Sequence, residues 1–248
     1  MTDFYDELAP FYHLIHQDWN ASVRRQGDQL GSLIAHEWPQ TRRILDVSCG
    51  IGTQALGLAI HGYSVTASDL SEKEIERARH EAERHGVIIE FSVCDMRNAH
   101  GHHGTGFDIV LSGDNSLPHL LTDQDISLAL REMHACLKPG GGAIITVRDY
   151  DAETRGTNLV KPYGIRVEYG KRYLLFQVWD FEGDYYDLAF FFVEENLTSG
   201  EVTTRVMRSK YYAISTEKIC DLMREVGFED VRRIDDAFYQ PVLAGTKP

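Results

Sequence analysis

Apolar and polar positions change their rhythm twice along the chain. From about Ser22 to Glu37, Val23, Leu30, Leu33 and Ile34 recur at helical spacing, which predicts an amphipathic helix. A short apolar run, Arg43 to Val47, then ends in glycines; Thr53 to His61 is helix-compatible and Tyr63 to Asp69 reads as a second strand. The unit repeats: Ser71 to His85 predicts a charged helix opened by a Ser-x-x-Glu capping box (Ser71, Glu74), followed by a strand over Ile88 to Val93. Phe107 to Ser112 is a fourth strand. Asp123 to Leu137 is a helix stopped by Lys138-Pro139-Gly140-Gly141-Gly142, and Ala143 to Val147 is a fifth strand. Such alternation predicts parallel pairing through right-handed crossovers.

After Tyr150 the helices drop out. Ile165 to Tyr169, Tyr173 to Phe181, Tyr185 to Glu194 and Glu201 to Tyr212 are strand-like, rich in aromatics and joined by Gly or Asn turns, the signature of an antiparallel meander. Helix and strand resume with Thr216 to Val226, Gly227 as its cap, Asp230 to Ile234 and a last strand near Pro241 to Gly245. The expected organisation is therefore one α/β domain made of residues 1–150 and 213–248, interrupted by an antiparallel insertion, 151–212, that acts as a lid or a dimer surface.

Composition narrows the possible partners. The formal net charge is −13, and the chain is acidic on both sides of residue 150, so neither part offers the basic face that nucleic acid or an anionic membrane requires. The N-terminus is acidic where a signal peptide starts basic, and no run approaches about 20 apolar residues, so a cytoplasmic location is expected. Cys49, Cys94, Cys136 and Cys220 lie far apart with no CxxC pair, which predicts neither a disulfide framework nor a zinc site. Gly101-His102-His103-Gly104 reads as a solvated loop. No metal is expected there, because no Cys or carboxylate falls at ligand spacing.

The candidate chemistry lies in Asp46-Val47-Ser48-Cys49-Gly50-Ile51-Gly52-Thr53-Gln54-Ala55, where the first strand meets its helix. Ligands of open α/β sheets bind beyond the carboxyl ends of such strands. Gly50 and Gly52 allow close approach of a ligand, and Asp69, ending the second strand, suits two ribose hydroxyls. Gly50-x-Gly52-x-x-Ala55 also fits a dinucleotide fingerprint, and a purely structural turn has the same letters. Asp46 ahead of the glycines, the preceding helix, and Cys94-Asp95-Met96 at the end of the third strand favour a ligand carrying an ammonium and a sulfonium.

On these residues the chain resembles the class I S-adenosylmethionine-dependent methyltransferases, with Ser48 standing where the family motif has its first glycine. Phe107-Asp108-Ile109-Val110 and Leu137-Lys138-Pro139-Gly140-Gly141 carry the same resemblance. It implies a doubly wound, mostly parallel seven-stranded sheet, the Rossmann-like methyltransferase fold, with the antiparallel β-sheet inserted. It also implies S-adenosylmethionine as cofactor and S-adenosylhomocysteine as product. Asp46, Gly50 and Gly52 would cradle the methionine part and ribose, Asp69 would bind the ribose hydroxyls, and Asp95 with Met96 would flank the adenine, with Ser48 and Leu70 also at the cofactor. Arg24 would meet the cofactor carboxylate; Arg25 is an equal candidate, and a solvated helix-face arginine is the plain alternative.

Asn115-Ser116-Leu117-Pro118-His119-Leu120 and Arg148-Asp149-Tyr150-Asp151 are similar to segments of glycine and glycine/sarcosine N-methyltransferases, with Asp149 in place of the family's Asn. The resemblance implies Arg148 as a clamp for an acceptor carboxylate and Asn115 as a polar positioning residue; His119, as base or acceptor contact, and Asn115 are the catalytic candidates, and Tyr150 is a further substrate contact. Alternatives stay open: a salt bridge for Arg148, a satisfied loop-capping role for His119. The aromatic lead-in Phe4 to Tyr12 resembles one that folds over the active site, with Tyr5 or Tyr12 lining the pocket or anchoring the terminus. The expected activity is N-methylation of a small amine or amino acid. An amino sugar or other secondary metabolite as N- or O-acceptor, or a noncatalytic S-adenosylmethionine-binding protein, are the other readings, and a homodimer is left open.

Overall fold

The chain, described over residues 2–248 by a computed structural model, builds its first half from the alternating units the pattern predicts. The short helix α1 (Thr2–Leu8) and a 3-10 turn (Tyr12–Ile15) lead into α2 (Trp19–Glu37). There follow β1 (Arg43–Asp46), α3 (Thr53–Ile60), β2 (Ser64–Asp69), α4 (Glu72–His85) and β3 (Glu90–Val93). Next come the short α5 (Ala99–His103), β4 (Phe107–Ser112), α6 (Asp123–Cys136) and β5 (Leu137–Thr146). Strands β6 (Leu159–Glu168), β7 (Lys171–Glu182), β8 (Tyr185–Asn196) and β9 (Val202–Tyr212) precede α7 (Thr216–Val226), β10 (Glu229–Ile234) and β11 (Val242–Thr246).

One sheet has the order β10-β11-β5-β4-β1-β2-β3. Its β1–β2, β2–β3, β1–β4 and β4–β5 pairs are parallel, and β11 runs antiparallel to both its neighbours. The direction of winding reverses between β1 and β4, which fixes the crevice beyond their carboxyl ends as the place for a ligand. Continuous apolar runs feed this sheet because both faces are covered: Ile44, Leu45, Ile109, Val110, Ile144 and Ile145 are fully buried. Helix α2 lies almost on the backbone of α3, where a Cβ on Gly57 would stand 2.6 Å from the Val23 carbonyl and one on Gly27 2.7 Å from Gly57.

The second sheet, β6-β7-β8-β9, is an antiparallel meander. Its inner face carries Tyr173, Leu175, Trp179, Tyr186, Phe190 and Phe192 against Phe4, Leu8, Leu14 and Tyr150. Alternation explains this aromatic load, since every second residue of a long strand faces the core. The first strand is longer than the Ile165 start read from sequence. It begins at Leu159, and the register shift between Pro162 and Gly164 (φ +91°) interrupts the pattern that periodicity follows. Gly101 to His103, read with Gly104 as loop, belong to α5, whose polar letters have no apolar period to reveal it; Gly104 is its C-cap.

Candidate functional site

The turn after β1 is braced by the end of β2. Asp69 Oδ2 accepts from the Gly50 N–H at 2.9 Å, its Oδ1 accepts from the Ser71 N–H at 3.0 Å, and the Cys49 N–H donates to the Ser68 carbonyl at 3.0 Å. Gly50 (φ +53°) and Gly52 (φ +93°) both occupy the left-handed region, so this path needs glycine. Half of the capping box of α4 forms: Ser71 Oγ accepts from the Glu74 N–H at 3.1 Å. The Glu74 carboxylate does not return to Ser71, whose N–H Asp69 already holds; it turns inward, with Oε1 buried and unpartnered.

A cavity of about 310 Å³ opens beyond this turn. Ser48, Gly50, Asp69, Leu70, Asp95 and Met96 line it, together with Tyr12 and His119. Asp46 and Gly52 stand behind the wall. Asp46 Oδ1 accepts from the Ser48 N–H at 3.2 Å, while its Oδ2 is buried without a partner. Arg24 projects from the exposed face of α2 and is not part of the lining, and Arg25, also exposed, donates to Ser22 Oγ at 3.0 Å. Asp95 is engaged by Arg97, at 2.6 Å through Nη2 and 2.9 Å through the backbone N–H, and this pairing pulls its carboxyl below the usual range.

Electrostatically the wall is a sink for positive charge. Burial raises the Asp46 carboxyl to about 7, against a smaller opposing effect of the Ser48 N–H. Burial also raises Asp69, and it lifts Glu74 well above the carboxylate range with help from Asp69 and Asp6. In all three carboxyls desolvation favours the neutral form; a cationic ligand would stabilise their ionised forms.

A second cavity, of about 80 Å³, adjoins the first and shares Tyr5, Tyr12 and Asp114 with it. Its deep wall is Arg148 with Tyr163, Trp179, Tyr186 and Tyr211. The Arg148 guanidinium lies 4.6 Å over the Trp179 ring and meets Glu153 at 3.3 Å, yet its Nε is buried with no partner among the described residues. Asn115 secures this arginine from behind. Its Oδ1 accepts from the Arg148 backbone N–H at 3.0 Å, and its Nδ2 donates to the Tyr150 hydroxyl at 2.7 Å. Tyr150 itself is buried behind the cavity, bonded to Tyr186 at 3.1 Å. His119 is buried, 2.5 Å from the Tyr5 hydroxyl, with Tyr211 packed on its ring at 3.9 Å. Burial pushes its imidazole down to about 3.

The methyltransferase-domain family profile matches residues 44–141, which span β1 to the glycines of β5 and so the whole cofactor wall. Over these residues the chain is similar to a methyltransferase domain. A glycine/sarcosine N-methyltransferase of Parasynechococcus marenigrum is 31% identical over 164 residues, covering 64% of this chain and 53% of the relative. The chain thus spans about half the length of that curated relative. Among solved structures, Streptomyces venezuelae DesVI superposes with a TM-score of 0.81 at 18% identity, over 99% of this chain and 98% of that one. An S-adenosylmethionine-bound amino pentose methyltransferase from Micromonospora echinaspora gives 0.81 at 17% identity, over 96% and 94%. These two likenesses establish the fold.

This wall fits S-adenosylmethionine chemically: acidic oxygens of Asp46 and Glu74 without partners among the described residues, and a braced carboxylate at Asp69, suit an ammonium, a sulfonium and a ribose diol. Sequence reasoning overlooked Glu74 as a wall residue, because the capping box already explained it. It overlooked Asp114 too, at the junction of the two cavities, whose carboxylate takes hydrogen bonds from Tyr239 at 2.5 Å and Tyr12 and Gln240 at 3.3 Å. Asp114 and Asn115 are consecutive left-handed residues (φ +52° and +64°), a signal of strain that letters alone do not carry.

Proposed function

We propose that this methyltransferase acts on the nitrogen of a small amine or amino acid, with Arg148 gripping the acceptor carboxylate and glycine or sarcosine as the first acceptors to test. The observation that carries this reading is the Arg148 Nε, a buried donor without a partner in a cavity that opens onto the cofactor wall. Leaving such a donor unpaired costs on the order of 1–3 kcal/mol, which a carboxylate accepting two parallel bonds recovers.

Bound S-adenosylmethionine supplies an electrophilic methyl group on a sulfonium, so the protein's work is alignment and exclusion of water. Tyr5 and Tyr12, on the N-terminal lead-in, roof the junction between the cavities. Arg166 pins that lead-in to the second sheet through the Ile15 and His16 carbonyls, at 3.2 and 2.8 Å. In this reading residues 151–212 are a lid whose inner face forms the acceptor pocket. An acceptor ammonium titrates near roughly 10, so an imidazole held near 3 cannot keep its proton. The acceptor therefore loses its proton to solvent before the lead-in closes. His119 acts through Tyr5 as a positioning residue, and Asn115 does the same for Arg148.

A second reading keeps the chemistry and changes the acceptor to an amino sugar or another secondary metabolite, methylated on N or O. Glu153 favours it: it already engages Arg148 at 3.3 Å and Lys161 at 2.7 Å, so the arginine has an acidic partner without any acceptor carboxylate. Either enzyme would work on a free small molecule in the cytoplasm. The deciding experiment is an acceptor screen read out as S-adenosylhomocysteine, with glycine, sarcosine and dimethylglycine beside amino sugars lacking a carboxylate. Turnover confined to carboxylate acceptors supports the clamp; turnover confined to amino sugars selects the second reading. Cofactor binding without product from any acceptor points to a noncatalytic binding protein.

A further inference from the structure

Behind the adenine side of the cofactor wall three soft ligand atoms converge. Cys94, at the end of β3, and His102 and His103, at the end of α5, bring one ligand atom each to within 4.8 Å of one another. The two imidazoles pack edge to face with centroids 4.6 Å apart. His103 is anchored at 3.0 Å to the buried Ser68 hydroxyl, and the exposed His102 lies 3.0 Å from Ser92 Oγ. The cluster is not used by the methyl-transfer site: only Cys94 reaches the cavity lining. Sequence spacing concealed it because the thiol lies eight and nine residues before the histidines, across the 96–98 turn.

We propose that Cys94, His102 and His103 form a binding site for a borderline-soft divalent cation, zinc in the first instance, with solvent as the fourth ligand. A thiolate and two imidazoles are a zinc donor set, and a three-residue set leaves one position open. Donor atoms in a tetrahedral zinc site sit roughly 3.3–3.6 Å apart, so the cluster has about an ångström to close. Rotation of the exposed His102 ring supplies much of that movement. The His103 imidazole is half-buried beside His102, and the Cys94 thiol is the group that must change. On binding, its S–H bond breaks, the proton passes to solvent and the thiolate coordinates; nothing is oxidised or reduced. Sγ then leaves the Asp95 and Asn98 carbonyls that it now faces at 3.3 and 3.8 Å.

The test uses the whole chain and the metal alone. Zinc titrated in by calorimetry in two buffers of different ionisation enthalpy should bind with one equivalent and release a proton. Cobalt in its place should give a thiolate charge-transfer absorption. Cys94→Ser should abolish that absorption, and both Cys94→Ser and His102→Ala should weaken zinc at least about tenfold. His100→Ala, at an exposed histidine outside the cluster, should leave binding unchanged. His102 is exposed, so its variant keeps the fold even if the serine variant does not. Absence of saturable binding, or equal affinity in wild type and His102→Ala, overturns the site; the second result marks an adventitious ion only.

Discussion

The two walls of the active cleft are made of different materials. The cofactor wall is backbone and carboxylate: a glycine turn braced through Asp69, with Asp46 and Glu74 buried beside it. The proposed acceptor wall is side chain: an arginine laid on Trp179 and ringed by Tyr163, Tyr186 and Tyr211 from the inserted strands. Backbone geometry specifies one ligand and is hard to alter piecemeal. A wall of side chains on long strands changes specificity one residue at a time without disturbing the turn. The account therefore predicts that cofactor binding and acceptor binding are separable by mutation.

The largest effect is expected at Asp69. Asp69→Ala removes two hydrogen bonds to a half-buried carboxylate, of about 1.5–3 kcal/mol each, and lets the turn relax. Cofactor affinity measured by calorimetry should fall about 100-fold or more; a loss under threefold would mean that the turn holds itself.

Next in size is a pH effect confined to the cofactor wall. Asp46 titrates near 7 in the folded protein, above its ordinary value near 4, so the folded state binds the extra proton between those limits. Without ligand, stability should fall as pH rises from about 4 to 7. Affinity for the cationic cofactor should move oppositely, rising roughly 30-fold from pH 5.5 to 8 and levelling above 7. Asp46→Asn should flatten both profiles, and a pH-independent affinity in wild type would remove Asp46 from the account.

The smallest effect is expected at the roof. Tyr5→Phe deletes the hydroxyl at His119, and turnover at saturating substrates should drop several-fold with both Michaelis constants near wild type. With His119 held near 3, the variant's pH–rate profile should keep the wild-type shape. A limb near pH 6–7 that vanished in His119→Asn would instead make this histidine a base.

How far each wall could be read from the letters follows from the same contrast. The cofactor wall is local: Ser48, Gly50, Asp69 and Met96 all sit at strand ends that hydrophobic periodicity locates, and the fold follows from the strand–helix alternation. Asp46 and Gly52, picked by the same logic, brace the wall from behind. Arg24 illustrates the limit, since helical phase decides between cavity and solvent and the spacing left Arg24 and Arg25 equivalent. The acceptor wall is non-local. Trp179, Tyr186 and Tyr211 meet Arg148 only through the register of three long strands, and alternation makes every second aromatic an ordinary core residue. Glu74 was hidden differently, having a sufficient local explanation in the capping box, and Cys94 by its sequence distance from His102 and His103.

Separability is tested most directly by Arg148→Ala, with the cofactor dissociation constant and the acceptor Michaelis constant measured on the same preparation. The prediction is a cofactor constant within about twofold of wild type and a Michaelis constant for carboxylate acceptors raised about 10–100-fold, the worth of a two-point charge-assisted bond. A fall in cofactor affinity approaching that of Asp69→Ala, or an unchanged Michaelis constant, would contradict it.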